Sequence, residues 1–436
     1  MTKQCYESYK ETGNPWLGKV PSDWQVRRAD FVIKSRKLQI SPSDLESRDV
    51  YHYAIPTVQA TGAGAVEEGE SIDSGKLIIN EPQVLVSKLN PRKATVTIAE
   101  PHPDYLTVAS TEFVPLIPWE ADLSYIFYVC KSQKVTDRLS SFVQSVTRSH
   151  QRCDPAEITK IPWAWPSQGE QQKIAAFLDR KTTEIDTLIA KKRRLLDRLA
   201  EKRTALIIRA VTKGLNPDAP MKDSGIEWLG EIPAHWETGV PIKYLVKMTG
   251  GMTPSTNNPL YWDGSIPWVS PKDMKRPELF DAQDHVTDLA ISETGLSMIE
   301  PGSVLIVVRG MILAHSFPVA INRVPVVLNQ DMKALKAGSR LSPEYFALLL
   351  RAIPDVMLAL VETSAHGTKA LRTDRWKELV IALPPVDEQD TIVELVEKMV
   401  ADLNSLQDAT SRTIEKLEEY RSALITNAVT GQIKVT

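Results

Sequence analysis

The sequence predicts an α+β protein: two pseudo-symmetric α+β domains separated by an antiparallel coiled coil of two long helices. Three observations carry this. Short motifs recur at a spacing near 215 residues, a heptad pattern follows each recurring segment, and the two heptad stretches bear opposite net charge. The expected division is a first domain at 1–165, a first long helix at 166–213, a second domain at 214–383 and a second long helix at 384–431.

Each domain opens on the same tryptophan-rich run. Gly13-Asn14-Pro15-Trp16-Leu17-Gly18-Lys19-Val20-Pro21-Ser22-Asp23-Trp24 matches the run from Gly225 to Trp236 at six of twelve positions, offset by 212. The expected role of Trp16, Trp24, Trp228 and Trp236 is structural: they pack each domain's entrance onto the helices. The closing motifs recur at an offset of 218. The run from Arg203 to Thr212 matches the run from Arg421 to Thr430 at seven of ten positions, and Glu170-Gln171 matches Glu388-Gln389. Proline strips, Ile161-Pro162-Trp163-Ala164-Trp165-Pro166 and Leu383-Pro384-Pro385, end each globular part where a helix begins.

In the first helix the expected seam is Ile174, Leu178, Ile185, Leu188, Leu195, Leu199 and Leu206. In the second it is Ile392, Val396, Met399, Leu403, Leu406, Leu417, Tyr420 and Leu424, softened by Thr410 and Thr413. Each helix would run about 60 Å. Residues 170–213 hold 12 basic and 6 acidic residues, whereas 387–431 hold 4 and 10. Opposite charge favours pairing of the two helices within one chain. A pseudo-two-fold axis makes that pairing antiparallel, with the globular segments at opposite ends of a rod. The alternative is two separate solvated helices, each packed on its own domain.

Inside the domains the copies share little. Buried-type strands, Val84–Ser87 and Val304–Val308, are each followed by a cation, Lys88 or Arg309. Ser110-Thr111-Glu112-Phe113 stands where the second copy has Asn329-Gln330-Asp331-Met332. A shared scaffold with diverged interiors suits two readers of different specificity; drift of a structural duplication gives the same pattern.

Composition narrows the class. Of 436 residues, 42% are hydrophobic and 25% charged, which excludes a disordered chain. No run of 18 apolar residues predicts a membrane span, and the N-terminal stretch lacks the apolar core of a secretory signal. Cys5, Cys130 and Cys153 have no metal-ligand or CxxC spacing and are expected to be reduced thiols of a cytoplasmic protein. The sequence has no GxxxxGK[ST], no GxGxxG opening a helix, no HExxH and no Asn-Pro-Pro-aromatic tetrapeptide, so nothing in it supports catalysis or a metal site.

The twin Trp-Leu-Gly-x-[Val/Ile]-Pro-x-x-Trp openings, the twin Glu-Gln helix starts and Gly250-Gly251-Met252-Thr253-Pro254-Ser255 together resemble the specificity subunit of Type I restriction-modification enzymes, over essentially the whole chain. The resemblance implies two target-recognition domains, each reading half of a bipartite double-stranded DNA target, and a helical spacer that sets the gap. It implies a non-catalytic subunit that docks two modification subunits and the restriction/translocase subunits. S-adenosylmethionine, ATP and Mg are then expected in those partners, with no cofactor in this chain.

The expected DNA contacts are cations and small polar groups on loops, suited to phosphates and base edges. They are Lys88, Arg92 and Lys93; Arg148, His150 and Arg152; Arg309; and His366, Lys369 and Arg372. Asn257 and Asn258 could read adenine through their amides, or simply form a turn. Glu170, Gln171, Glu388 and Gln389 are candidates either for docking the modification subunits or for capping. The near-neutral segments, 19 basic against 20 acidic over 1–169 and 16 against 19 over 214–386, predict weak DNA binding by the isolated chain. A standalone nuclease and a protein-binding scaffold stand as competing functions.

Overall fold

The computed structural model describes residues 5–145, 151–363 and 367–435. It divides into two compact units, Met1–Arg193 with Ser411–Thr436, and Arg194–Thr410. The limits of compactness therefore fall inside both long helices, Gln168–Lys213 and Val386–Val429, rather than at their ends.

Unit one is built on a four-stranded antiparallel sheet ordered Val96–Ala99, Gln83–Ser87, Phe113–Pro118, Ile33–Lys34. Its centre, Gln83–Ser87, is buried at every position, which explains a continuous apolar run without alternation. A five-stranded sheet lies beside it in the chain, in which Leu106–Ser110 and Asp49–Tyr53 run parallel. The opening forms a hairpin, Tyr9–Glu11 with Lys19–Pro21. The exit strip Pro162–Trp165 pairs with Gln25–Arg28, so the chain leaves the domain beside its own entrance.

Unit two repeats this plan. Val319–Asn322, Val304–Val307, Met332–Ala337 and Val246–Gly250 form the same antiparallel order, with Glu278–Leu279 added at one edge. The opening hairpin is Met221–Asp223 with Glu231–Pro233, and the exit strip Val380–Leu383 pairs with Glu237–Pro241. Trp236, Tyr345, Phe346 and Trp376 are its largest fully buried side chains.

Within each unit the long-helix segments run antiparallel. In unit one Arg421 pairs with Asp186 at 3.1 Å and Arg193 with Glu418 at 2.9 Å, so one helix ascends in number as the other descends. In unit two Gly214, just past the first helix, lies against Trp236 and Glu388 near the start of the second. Each domain also holds the C-terminal end of a long helix that does not follow it. Tyr125 donates to the carbonyl of Val429 at 3.2 Å, and Tyr345 donates to that of Val211 at 2.9 Å. Burial pushes both hydroxyls well above the usual tyrosine range, which keeps them protonated donors. Trp24 and Trp236 are buried where these ends arrive: a Cβ on Gly431 would touch Trp24, and one on Gly214 would touch Trp236.

The seam differs from the expected one at four positions. Leu188 is 42% exposed, Leu195 39%, Leu406 47% and Tyr420 51%. The buried line runs instead through Thr182, Ile185, Ile189 and Leu199, and through Val396, Thr410, Ile414 and Leu424. Ile174, Leu178 and Thr182 are buried at two successive steps of 4, and the steps of 3 and 4 that follow lead through Ile185 to Ile189, not to Leu188. The apolar residue at the other spacing is left outside. Charge contributes less than its totals suggest, because the two cross-helix ion pairs found in unit one are half-exposed and each contributes at most about 1 kcal/mol. Ile185, Ile189, Leu199, Ile414 and Leu424 are each buried, whereas the ion-paired side chains are not.

Candidate nucleic-acid interface

The central strand of each core sheet ends in a loop held the same way. After Gln83–Ser87, the amide of Lys88 donates to the carbonyl of Glu112 (3.0 Å), and that of Asn90 donates to the carbonyl of Gln151 (2.7 Å). Cys153 returns a bond to the carbonyl of Lys88 (3.0 Å), and Leu89 bridges Arg152 in antiparallel fashion. After Val304–Val307, Val308 donates to the carbonyl of Asp331 (2.8 Å) and Gly310 to that of Lys369 (2.9 Å). Leu371 returns a bond to the carbonyl of Val308 (2.8 Å), and Arg309 bridges Ala370. The second strand of each clamp belongs to a short hairpin, Gln144–Ser145 with Gln151–Arg152 or Val361–Thr363 with Lys369–Leu371.

The loops are shaped by their sequences. Asn90 takes a left-handed φ of 50°, which asparagine tolerates better than most residues, and Pro91–Lys93 then makes a 3-10 turn. In the second copy Gly310 sits at φ 139° before the turn Met311–Ala314. A third loop meets this site. The amide of Met252 donates to the carbonyl of Leu328 (2.9 Å), and Thr253 donates to Gln330, the neighbour of Asp331. A Cβ at Gly251 would lie 2.1 Å from the Leu328 carbonyl oxygen. The glycine pair of Gly250-Gly251-Met252-Thr253-Pro254 thus has a packing cause at its second position.

Lys88, Arg92, Lys93 and Arg152 are brought together around the first clamp. Arg92 is exposed and makes no ion pair among the described residues; the Lys93 Nζ reaches Gln59 Oε1 at 3.4 Å. Arg152 makes a two-pronged contact with Glu112, Nε at 3.0 Å and Nη2 at 3.1 Å. Around the second clamp, Arg309 Nε donates to Asp331 at 2.7 Å and Lys369 to Thr363 at 2.8 Å. Arg372 is committed elsewhere: it donates to Glu362 (2.7 Å) and through two nitrogens to Asp374 (3.0 and 2.8 Å). Its guanidinium holds the Asp374 carboxyl down at about 2. Two carboxylates on one guanidinium leave that spot acidic, which suits an internal brace better than a phosphate contact.

Asn258 accepts the amide of Leu260 (3.2 Å) and caps the turn Pro259–Tyr261; Asn257 is exposed beside it. Turn formation therefore accounts for Asn258. Arg148, His150 and His366 lie outside the described residues.

The glutamines of the Glu-Gln pairs are buried, and the glutamates are half-exposed. Gln171 is 3% exposed; it accepts the amide of Asp122 (2.8 Å) and donates to the carbonyl of Pro166 (2.9 Å). Gln389 is fully buried; it accepts the amide of Ser342 (2.8 Å) and donates to the carbonyls of Arg340 (3.0 Å) and Pro384 (2.9 Å). Glu170 accepts from Tyr6 (2.6 Å). Glu388 accepts from Trp236 (3.1 Å) and sits 2.7 Å from His235 Nε2. Each pair ties its helix start to its own domain, because buried backbone groups at the junction need side-chain partners.

Among the described residues no group of three or more His, Cys, Asp or Glu side chains is placed to hold a metal ion. No described helix is long and apolar enough to cross a membrane. Burial pushes the Cys130 thiol up to about 12 and the Cys153 thiol to about 11, so neither is a reactive thiolate near neutrality.

The fold and the twin clamps define a class: a duplicated protein in which two α+β units present the same basic loop arrangement. The chain belongs to the family described as Type I restriction modification DNA specificity domain, whose model matches residues 21–197 and 233–416. Its relatives include the Escherichia coli Type I restriction enzyme EcoR124I/EcoR124II specificity subunit, 32% identical over 47% of this chain and 49% of that protein. They also include the MjaIX specificity subunit of Methanocaldococcus jannaschii, 28% identical over 38% of each chain. The matched segments thus span half or less of those two relatives. The fold extends over the whole chain in solved structures. The HsdS subunit of Thermoanaerobacter tengcongensis is 16% identical with a TM-score of 0.59, over 95% of this chain and 98% of that one. A chain of the type I R-M system, also 16% identical, reaches 0.69 over 95% and 99%.

Proposed function

We propose that this chain is the DNA sequence-recognition subunit of a Type I restriction-modification complex. Each globular domain reads one half of a bipartite double-stranded target, and the paired helices set the gap between the halves. The chain has no catalytic role of its own. It docks two modification subunits, which use S-adenosylmethionine to methylate adenine, and restriction/translocase subunits, which use ATP and Mg. The complex works in the cytoplasm.

The observation that supports this best is the repeated clamp. Both domains keep one basic loop arrangement at the end of the central strand while the surrounding loops differ. A protein that grips one kind of ligand twice, with a different preference each time, needs that combination. Lys88, Arg92, Lys93, Arg152, Arg309 and Lys369 belong to the proposed DNA face. Arg148, His150, His366 and Asn257 are assigned to it on sequence grounds.

The test is a segment exchange. Residues 1–165 are replaced by the corresponding segment of a relative, and methylated sites are sequenced in cells that carry the modification subunits. One half of a split motif should change while the other half and the gap persist. An unchanged motif would favour a scaffold whose domains bind proteins.

A further inference from the structure

The two clamps carry the same ion pair built from opposite strands. In the first domain the bridged pair is Leu89 with Arg152, and Arg152 binds Glu112. In the second it is Arg309 with Ala370, and Arg309 binds Asp331. Lys88 and Val308 donate to the carbonyls of Glu112 and Asp331 respectively, so Leu89 occupies the place of Arg309 and Ala370 that of Arg152. The arginine has crossed the bridge, and its position against the carboxylate is retained. The environments agree as well: both arginine side chains are 55% exposed, and their carboxylates are 24% and 23% exposed.

Stability does not account for this. An ion pair so exposed contributes about 0–1 kcal/mol to folding and is readily lost in diverging copies. A bound ligand does account for it. The bases of two half-sites differ, whereas the phosphates do not, so a group held constant in space between differing readers suits the backbone. The donors allow it. Glu112 occupies Nε and Nη2 of Arg152, and Asp331 occupies Nε of Arg309; a guanidinium carries five N–H donors, so an outer edge remains on each.

We propose that Arg152 and Arg309 are spatially equivalent phosphate anchors of the two domains, with Glu112 and Asp331 as positioning residues that aim them. This rests on the reading of the chain as a DNA-recognition subunit.

The test uses the chain assembled with its modification subunits, a duplex carrying the motif mapped from methylated sites, and an unrelated duplex of equal length. R152L and R309L should each weaken binding to both duplexes about tenfold or more. Each should also lower the salt slope by about one and leave the methylated motif unchanged. The transplants L89R/R152L and R309L/A370R, which move the arginine across the bridge, should restore affinity and slope. E112Q and D331N should give a smaller loss of the same kind, with melting temperatures near that of the parent. Unchanged affinity and slope in R152L and R309L, in a complex that still binds its target, would overturn the anchors alone. A changed motif would do so too, by making the arginines base readers. A parent complex that binds neither duplex would overturn the recognition reading as well.

Discussion

Replacing Gln389 by leucine isolates what the buried amide does at the junction of domain and helix. Leucine fills nearly the same volume, so cavity effects are small, and the change falls on hydrogen bonds. Gln389 makes three: from the amide of Ser342 and to the carbonyls of Arg340 and Pro384. At about 1 kcal/mol each, their loss destabilises the junction by about 3 kcal/mol. Gln171 makes two, from Asp122 and to Pro166, so Q171L should lose about 2 kcal/mol. Native-state hydrogen exchange with mass spectrometry reads this locally. Peptides over 340–350 and 386–400 should exchange about a hundredfold faster in Q389L, and peptides over 120–130 and 168–178 should respond in Q171L. Exchange changed less than threefold in both variants would refute the assignment of these glutamines as internal ties and reopen a docking role.

Other outcomes follow from the same geometry. G251V drives a side chain into the Leu328–Asn329 backbone and should destabilise unit two by about 1–3 kcal/mol in urea titrations; a neutral result would mean the loop packs differently. The isolated chain should bind its target far more weakly at physiological salt than the chain with modification subunits, since its domains are near-neutral; equal affinities by anisotropy would contradict this. The Asp374 carboxyl, lowered from 3.8 to about 2 by Arg372, lends stability above the ordinary carboxylate range that is lost as pH falls toward 2. In R372Q its NMR titration midpoint should return toward 3.8; an unmoved midpoint would remove Arg372 as the cause.

The duplicated plan was legible because its joints are sequence-local. Openings with Trp24 and Trp236, proline strips and Glu-Gln starts are short motifs whose recurrence needs no structure to see. The seam was legible only in part. Leu188 and Ile189 are both acceptable three- or four-residue steps from Ile185, and packing alone decides that Ile189 is the buried one. The Glu-Gln pairs were visible as a repeat, but their role depended on backbone groups at Asp122, Ser342 and Arg340, far away in sequence. The clamp was the least legible part. The alignment of Glu112 with Asp331 could be read, yet the arginine that binds each comes from non-corresponding positions, Arg152 and Arg309. Offset matching cannot find a group conserved in space but not in register.

The DNA sites that become methylated test the proposed function most directly. Single-molecule sequencing of methylated adenines in cells expressing this chain with its modification subunits gives the answer in one measurement. The expected result is a split motif: two short specified blocks separated by a fixed number of unspecified bases, lost when the chain is deleted. A single continuous motif, or methylation that persists without the chain, would contradict it.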